Sequence, residues 1–149
     1  MKNTTEFLQN IRRITKLHEV CIHPVCDQYH LTMIETTIIG FLKNNPEADT
    51  AADIVELRML SKGHVSQAVE ALIQKGLLTR TPDPEDRRRI HLSLLPAAAP
   101  IAEAILAFQE QFYQELWEGF SENDLQQYIS LNRRMQENAR KALERRKAL

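Results

Sequence analysis

The segment from Ser61 to Leu94 constrains the fold most, because its periodicity changes in the middle. Up to Ile73 the apolar residues recur at helical spacing, with Val65, Val69, Leu72 and Ile73 on one side and Lys62, Gly63, His64, Ser66 and Gln67 on the other. Gly76 then stands where a helix commonly ends in the left-handed conformation that glycine adopts without strain. Beyond it, the short β-prone runs LLTRT and IHLSL flank PDPEDRRR, whose prolines and aspartates favour a turn. A helix followed at once by a hairpin predicts a mostly α chain with one small β-element.

The rest of the chain reads as helix. From Thr5 to about Val25, Phe7, Leu8, Ile11, Ile14, His18, Cys21, Ile22 and Val25 recur every three or four positions. Pro24 and the polar run Asp27 to His30 are expected to kink or end this helix, with a boundary near Tyr29. Three further helix starts carry an N-cap hydroxyl with an acid three residues on: Thr32 with Glu35, Thr50 with Asp53, and Ser121 with Asp124. They predict helices over Met33–Leu42, Ala51 to about Arg58 and Glu122 to about Arg146. After Pro96, Ile101, Ile105, Phe108, Phe112, Leu116 and Phe120 mark another inward face that runs to a break near Gly119. The helix starting at Ser61 differs from the other capped starts, since His64 and not an acid stands three residues on. A terminus without a carboxylate leaves the partial positive helix end open to an anion.

Length and charge narrow the possibilities. At 149 residues the chain is expected to form one domain. A net charge of -1 argues against indiscriminate coating of nucleic acid, so local distribution matters more. Between Arg58 and His91, seven Lys/Arg face four Asp/Glu, an excess of +3, although starting at Thr50 reduces it to +1. The amino-terminal residues carry charges and no apolar core of the signal-peptide kind, and two cysteines fit reduced thiols, so a cytoplasmic location without membrane association is expected. No glycine-rich phosphate loop, HExxH motif or ordered catalytic triad is present, so neither an enzyme, a catalytic residue nor a cofactor is expected.

The short helix to Arg58, a turn at Met59–Lys62, and the polar-faced helix after it form a helix-turn-helix, with the hairpin as a wing. A helix of this kind fits the major groove, where side chains near its amino end reach base edges, while hairpin arginines can reach a narrower minor groove. Double-stranded DNA is therefore the expected partner. The expected fold class is mostly α with a small β-hairpin wing, a winged helix-turn-helix.

The stretch AVEALIQKGLLTRTPDPEDRRRIHLSL resembles the MarR family of bacterial regulators, and the likeness extends over nearly the whole chain. Two departures, Leu95 and Ala98, stand where family members often carry Thr and Gly. The resemblance implies a DNA-binding region over about 32–95 and dimerisation helices over about 1–30 and 96–149, within a single domain of residues 1–149. It implies that Ser61, Lys62, Gly63, His64, Ser66 and Gln67 face the major groove, Lys62 at phosphate and His64, Ser66 and Gln67 at bases. It places Arg88 in the minor groove, Arg87 and Arg89 near phosphates, and Asp86 as the residue that orients an arginine. A homodimer would then bind a pseudo-palindromic operator, as a repressor modulated by a small-molecule effector or a redox signal. The alternative is a winged-helix protein-interaction module that has lost DNA binding.

Two further clusters have simpler readings. His18, Cys21, His23, Cys26 and His30 include good zinc ligands, but Pro24 interrupts them, and helix packing accounts for them without a metal; a redox switch is a further possibility. Phe108, Phe112, Tyr113, Trp117 and Phe120 read as core, with an effector-pocket lining as the alternative.

Overall fold

The computed structural model describes residues 3–148. Its elements run α1 (Thr4–Tyr29), α2 (Met33–Asn44), α3 (Ala51–Arg58), α4 (Lys62–Gln74), β1 (Leu78–Pro82), β2 (Ile90–Leu94), a 3-10 turn (Pro96–Ala98), α5 (Ala99–Leu116) and α6 (Glu122–Lys147). The chain divides into two compact units, one up to Phe112 and one from Tyr113 onward.

In the first unit, Ile38, Ile39, Ile54, Val65 and Leu72 are fully buried and join α2, α3 and α4 around one core, against which the base of the hairpin packs through Leu78 and Leu92. Burial of such side chains stabilises by about 1.5–3 kcal/mol each. The hairpin pairs antiparallel, from Leu78 opposite Leu94 to Pro82 opposite Ile90. Gly76 has φ 73°, and the Leu77 N–H closes on the Leu72 carbonyl at 3.0 Å as the chain leaves α4 for β1.

The helix starts expected from sequence are present, and all three acid-bearing caps form complete reciprocal boxes. Pro24 does not end α1. The helix continues through it to Tyr29, because proline forfeits a single backbone bond there while Ile22, Val25 and Cys26 bury the same turn; His30 then caps it at φ 54°. Leu95 precedes the 3-10 turn and has no side-chain oxygen to cap it; its N–H bonds to the Leu77 carbonyl at 2.9 Å instead.

In the second unit, Trp117 packs on Phe120 and Tyr128 with ring centroids 5.4 and 4.9 Å apart. Helix α5 stops at Leu116, three residues before Gly119 (φ 81°), so Phe120 lies beyond it and is exposed, not inward. No residue of α6 is buried. No helix among the described residues is long and apolar enough to cross a membrane.

Candidate nucleic-acid interface

The turn between α3 and α4 is set by Met59, which adopts a left-handed conformation at φ 52° as the cap of α3. The Leu60 N–H returns to the Val55 carbonyl at 3.1 Å, and Ser61 opens α4 by accepting the His64 N–H at 3.2 Å. With Val65, Ala68, Val69 and Leu72 turned into the core, Lys62, Gly63, His64, Ser66 and Gln67 are left together on the exposed face. No acid occupies the first turn of α4, so no carboxylate of the helix competes with an incoming phosphate for its amino end. A Cβ on Gly63 would meet nothing within 4 Å. Packing within the chain therefore does not require glycine there, although it costs helix stability of about 1 kcal/mol relative to alanine. What glycine leaves is room for another molecule to approach the backbone.

The wing turn is built on aspartates. Asp83 accepts the Glu85 and Asp86 N–H groups at 2.8 and 3.1 Å, and its own N–H bonds to the Arg89 carbonyl at 2.8 Å. Asp86 accepts the Arg88 N–H at 3.0 Å, so its carboxylate organises the arginine segment through the backbone. Arg87, Arg88 and Arg89 are all exposed. On β1, Arg80 pairs with Glu70 of α4, which links wing to helix and balances one of the cations counted in the basic excess.

Beneath the turn lies a cluster that sequence reading missed. Both imidazole nitrogens of His91 meet carboxylates: Nδ1 lies 2.8 Å from Asp49 Oδ1, and Nε2 lies 2.7 Å from Asp83 Oδ2. The Leu92 N–H also bonds to the Asp49 carbonyl at 2.8 Å. The bonds to Asp49 and then Asp83 raise the His91 pKa, and the His91 bond, followed by the two backbone N–H groups, holds Asp83 down at about 2.

The histidines and cysteines of α1 go different ways. Cys26 is buried with its sulfur 3.3 Å from Thr36 Oγ1, His23 pairs with Asp27, and His18 meets Phe112 edge-on at 5.2 Å. Among the described residues no three His, Cys, Asp or Glu side chains gather as metal ligands. A cavity of about 300 Å³ opens in the first unit, lined among others by His18, Thr36, Asn44, Arg58 and Gln109, and the aromatic stripe of α5 does not line it. Burial, aided by Arg58, lowers the His18 pKa.

A short helix, a left-handed turn, a helix with an open amino end and an arginine-tipped hairpin make up a winged helix-turn-helix fold. Residues 30–89 match the model of the MarR family. The transcriptional regulator AdcR of Streptococcus pneumoniae is 28% identical over 103 residues, 68% of this chain and 69% of that protein. The S. aureus MepR–DNA complex matches with a TM-score of 0.74 at 20% identity, covering 91% of this chain and 96% of MepR. BpsR of Bordetella bronchiseptica, from a structure describing regulation of its DNA binding by 6-hydroxynicotinic acid, matches with a TM-score of 0.67 at 23% identity, covering 91% and 94%.

Proposed function

We propose that the protein represses transcription by binding a pseudo-palindromic operator as a homodimer, with a small organic acid as the releasing signal. The observation that carries DNA reading is the open amino end of α4, with Lys62, Gly63, His64, Ser66 and Gln67 on one exposed face. Lys62 meets phosphate, His64, Ser66 and Gln67 meet base edges, Arg88 enters the minor groove, and Arg87 and Arg89 approach phosphates. Ser61 holds the helix end and Asp86 the arginine backbone.

Exposed apolar side chains favour a second copy as the dimer partner. Tyr128, Met135 and Leu143 lie along α6, and Leu8, Ile11 and Val20 lie on α1. Two-fold symmetry would set the recognition helices about one DNA turn apart and require inverted half-sites. A dimer covering such a site within a promoter excludes polymerase sterically, which is the basis for repression.

The cavity of the first unit suits a small anion, with Arg58 as the cation and Asn44 and Gln109 as donors. The structure of BpsR with its 6-hydroxynicotinic acid mechanism makes such a ligand class reasonable for this fold. The test is selection of duplexes from a random library by the purified protein. Enrichment of inverted half-sites is expected; no enrichment would leave the protein-interaction module as the better account.

A further inference from the structure

The wing carries its arginines on a turn that has little packing of its own: every residue from Pro84 to Ile90 is exposed. The base of the hairpin is packed through Leu78 and Leu92 and tied to α4 by the Arg80–Glu70 pair, but the turn beyond it is joined to the segment before α3 through the His91 side chain. Its side chain is 28% exposed, and those of Asp49 and Asp83 are 26% and 23% exposed, so the cluster is only partly open to water. Asp49 immediately precedes Thr50, the cap of α3, whereas Asp83 nucleates the wing turn. Through one ring, His91 therefore joins the helix-turn-helix to the arginine segment.

Protonation decides whether this joint holds. Only the imidazolium donates from both nitrogens; a neutral ring turns one lone pair toward a carboxylate. We propose that protonated His91 is the positioning residue of the wing, tying Asp83 to Asp49 so that Arg87, Arg88 and Arg89 are held where they meet DNA, and that DNA affinity falls when it loses its proton. The inference rests on the wing meeting DNA, as proposed above.

The surroundings leave the two aspartates in charge. Thr81 faces His91 across the hairpin, Asp83 faces it from the turn, and Asp49 faces it from the segment before α3. Glu85, Asp86 and the three arginines of the turn are exposed, and Lys43 of α2 shares a shallow groove with Asp49 and β2. The charges acting on His91 are those of Asp49 and Asp83. Because the bonds raise its pKa, the joint is intact below the ordinary histidine range and is lost as pH rises through the raised value. Asp83, held at about 2, keeps its charge throughout that range.

The experiment combines two readouts from about pH 5.5 to 9, a window that spans histidine titration. NMR follows the His91 ring and the amides of Arg87–Arg89 in the free protein. Fluorescence anisotropy follows binding of the duplex obtained by the selection above. The parent should lose affinity about three- to tenfold as pH rises through the His91 midpoint, since apparent affinity scales with the fraction of wings held in position. His91→Gln should lack this transition, and Asp49→Asn should move it to lower pH. Only the difference between the parent and His91→Gln measures the joint. Circular dichroism confirms that both variants fold. Identical profiles for the parent and His91→Gln, or turn amides that ignore His91 titration, would overturn the proposal. A protein that binds no duplex at any pH refutes the DNA-reading function alone, and the amide response still decides whether His91 holds the wing.

Discussion

Replacing His64 with glutamate should stabilise the fold and weaken DNA binding at the same time. Helices α2, α3 and α6 each open with a hydroxyl that accepts from the N3 amide and an acid that accepts from the cap amide, whereas α4 has only the first half, the Ser61 bond to His64. His64 is exposed at N3, so a glutamate there can reach the Ser61 N–H without disturbing the core. The completed box and its charge at the helix amino end add about 0.5–1 kcal/mol. For a chain of this size that raises Tm by about 1–4 °C. On DNA the same change removes a base-edge contact worth about 1–3 kcal/mol and sets a carboxylate against phosphate, so affinity should fall at least tenfold. Thermal unfolding and anisotropy on the selected duplex read the two effects separately. A variant with raised Tm and undiminished affinity would show that the amino end of α4 does not face DNA. A Tm that did not rise would refute the cap argument.

Other substitutions test neighbouring parts of the structure. Arg88→Ala should weaken binding to operator and unrelated duplex alike, with a salt slope shallower by about one unit, whereas Gln67→Ala should cost about 1–3 kcal/mol on the operator alone; anisotropy across a salt series separates them. Sedimentation should show a dimer at micromolar concentration, and a stable monomer would remove the basis for paired half-sites. Lys75→Met should destabilise by about 1–3 kcal/mol in urea unfolding, because Lys75 bonds both oxygens of Glu35, whose side chain is 3% exposed; the full penalty for breaking a buried pair is reduced by the 40% exposure of Lys75. Burial pushes the Glu35 pKa up, but its bonds to Lys75 and Thr32 prevail and hold it below the usual value. The pair therefore stabilises above the ordinary glutamate range and is lost as pH falls through the lowered pKa, and Lys75→Met should flatten that acid limb.

What the sequence made legible follows from how local each feature is. A helix face is a matter of spacing within a few residues, so the exposure of Lys62, His64, Ser66 and Gln67 could be read directly, as could the caps at Thr32, Thr50 and Ser121. Pro24 was harder, because its local cost is fixed while the burial of Ile22, Val25 and Cys26 that offsets it depends on the tertiary core. Phe120 departs from the expected inward face for a related reason: it continues the spacing of α5, but the helix ends at Leu116.

The wing shows where local reasoning stops. Its aspartates are legible as turn formers, and the resemblance implies that Asp86 orients an arginine; its carboxylate accepts the Arg88 backbone N–H, which fixes where the chain carries the guanidinium. His91 carried no signal at all, since its two partners lie 42 and 8 residues away and nothing in the spacing of Asp49, Asp83 and His91 marks them as a set. Only the fold, by running Asp49 alongside β2 through the bond to Leu92, brings the second carboxylate to the ring. Two levels of control over the arginines result, a local one that shapes the turn and does not depend on pH, and a long-range one that places the turn and does. An aspartate-to-asparagine change at Asp83 would strike both at once, whereas the same change at Asp49 leaves the turn bonds intact, which makes Asp49 the cleaner site at which to separate placement of the wing from its shape.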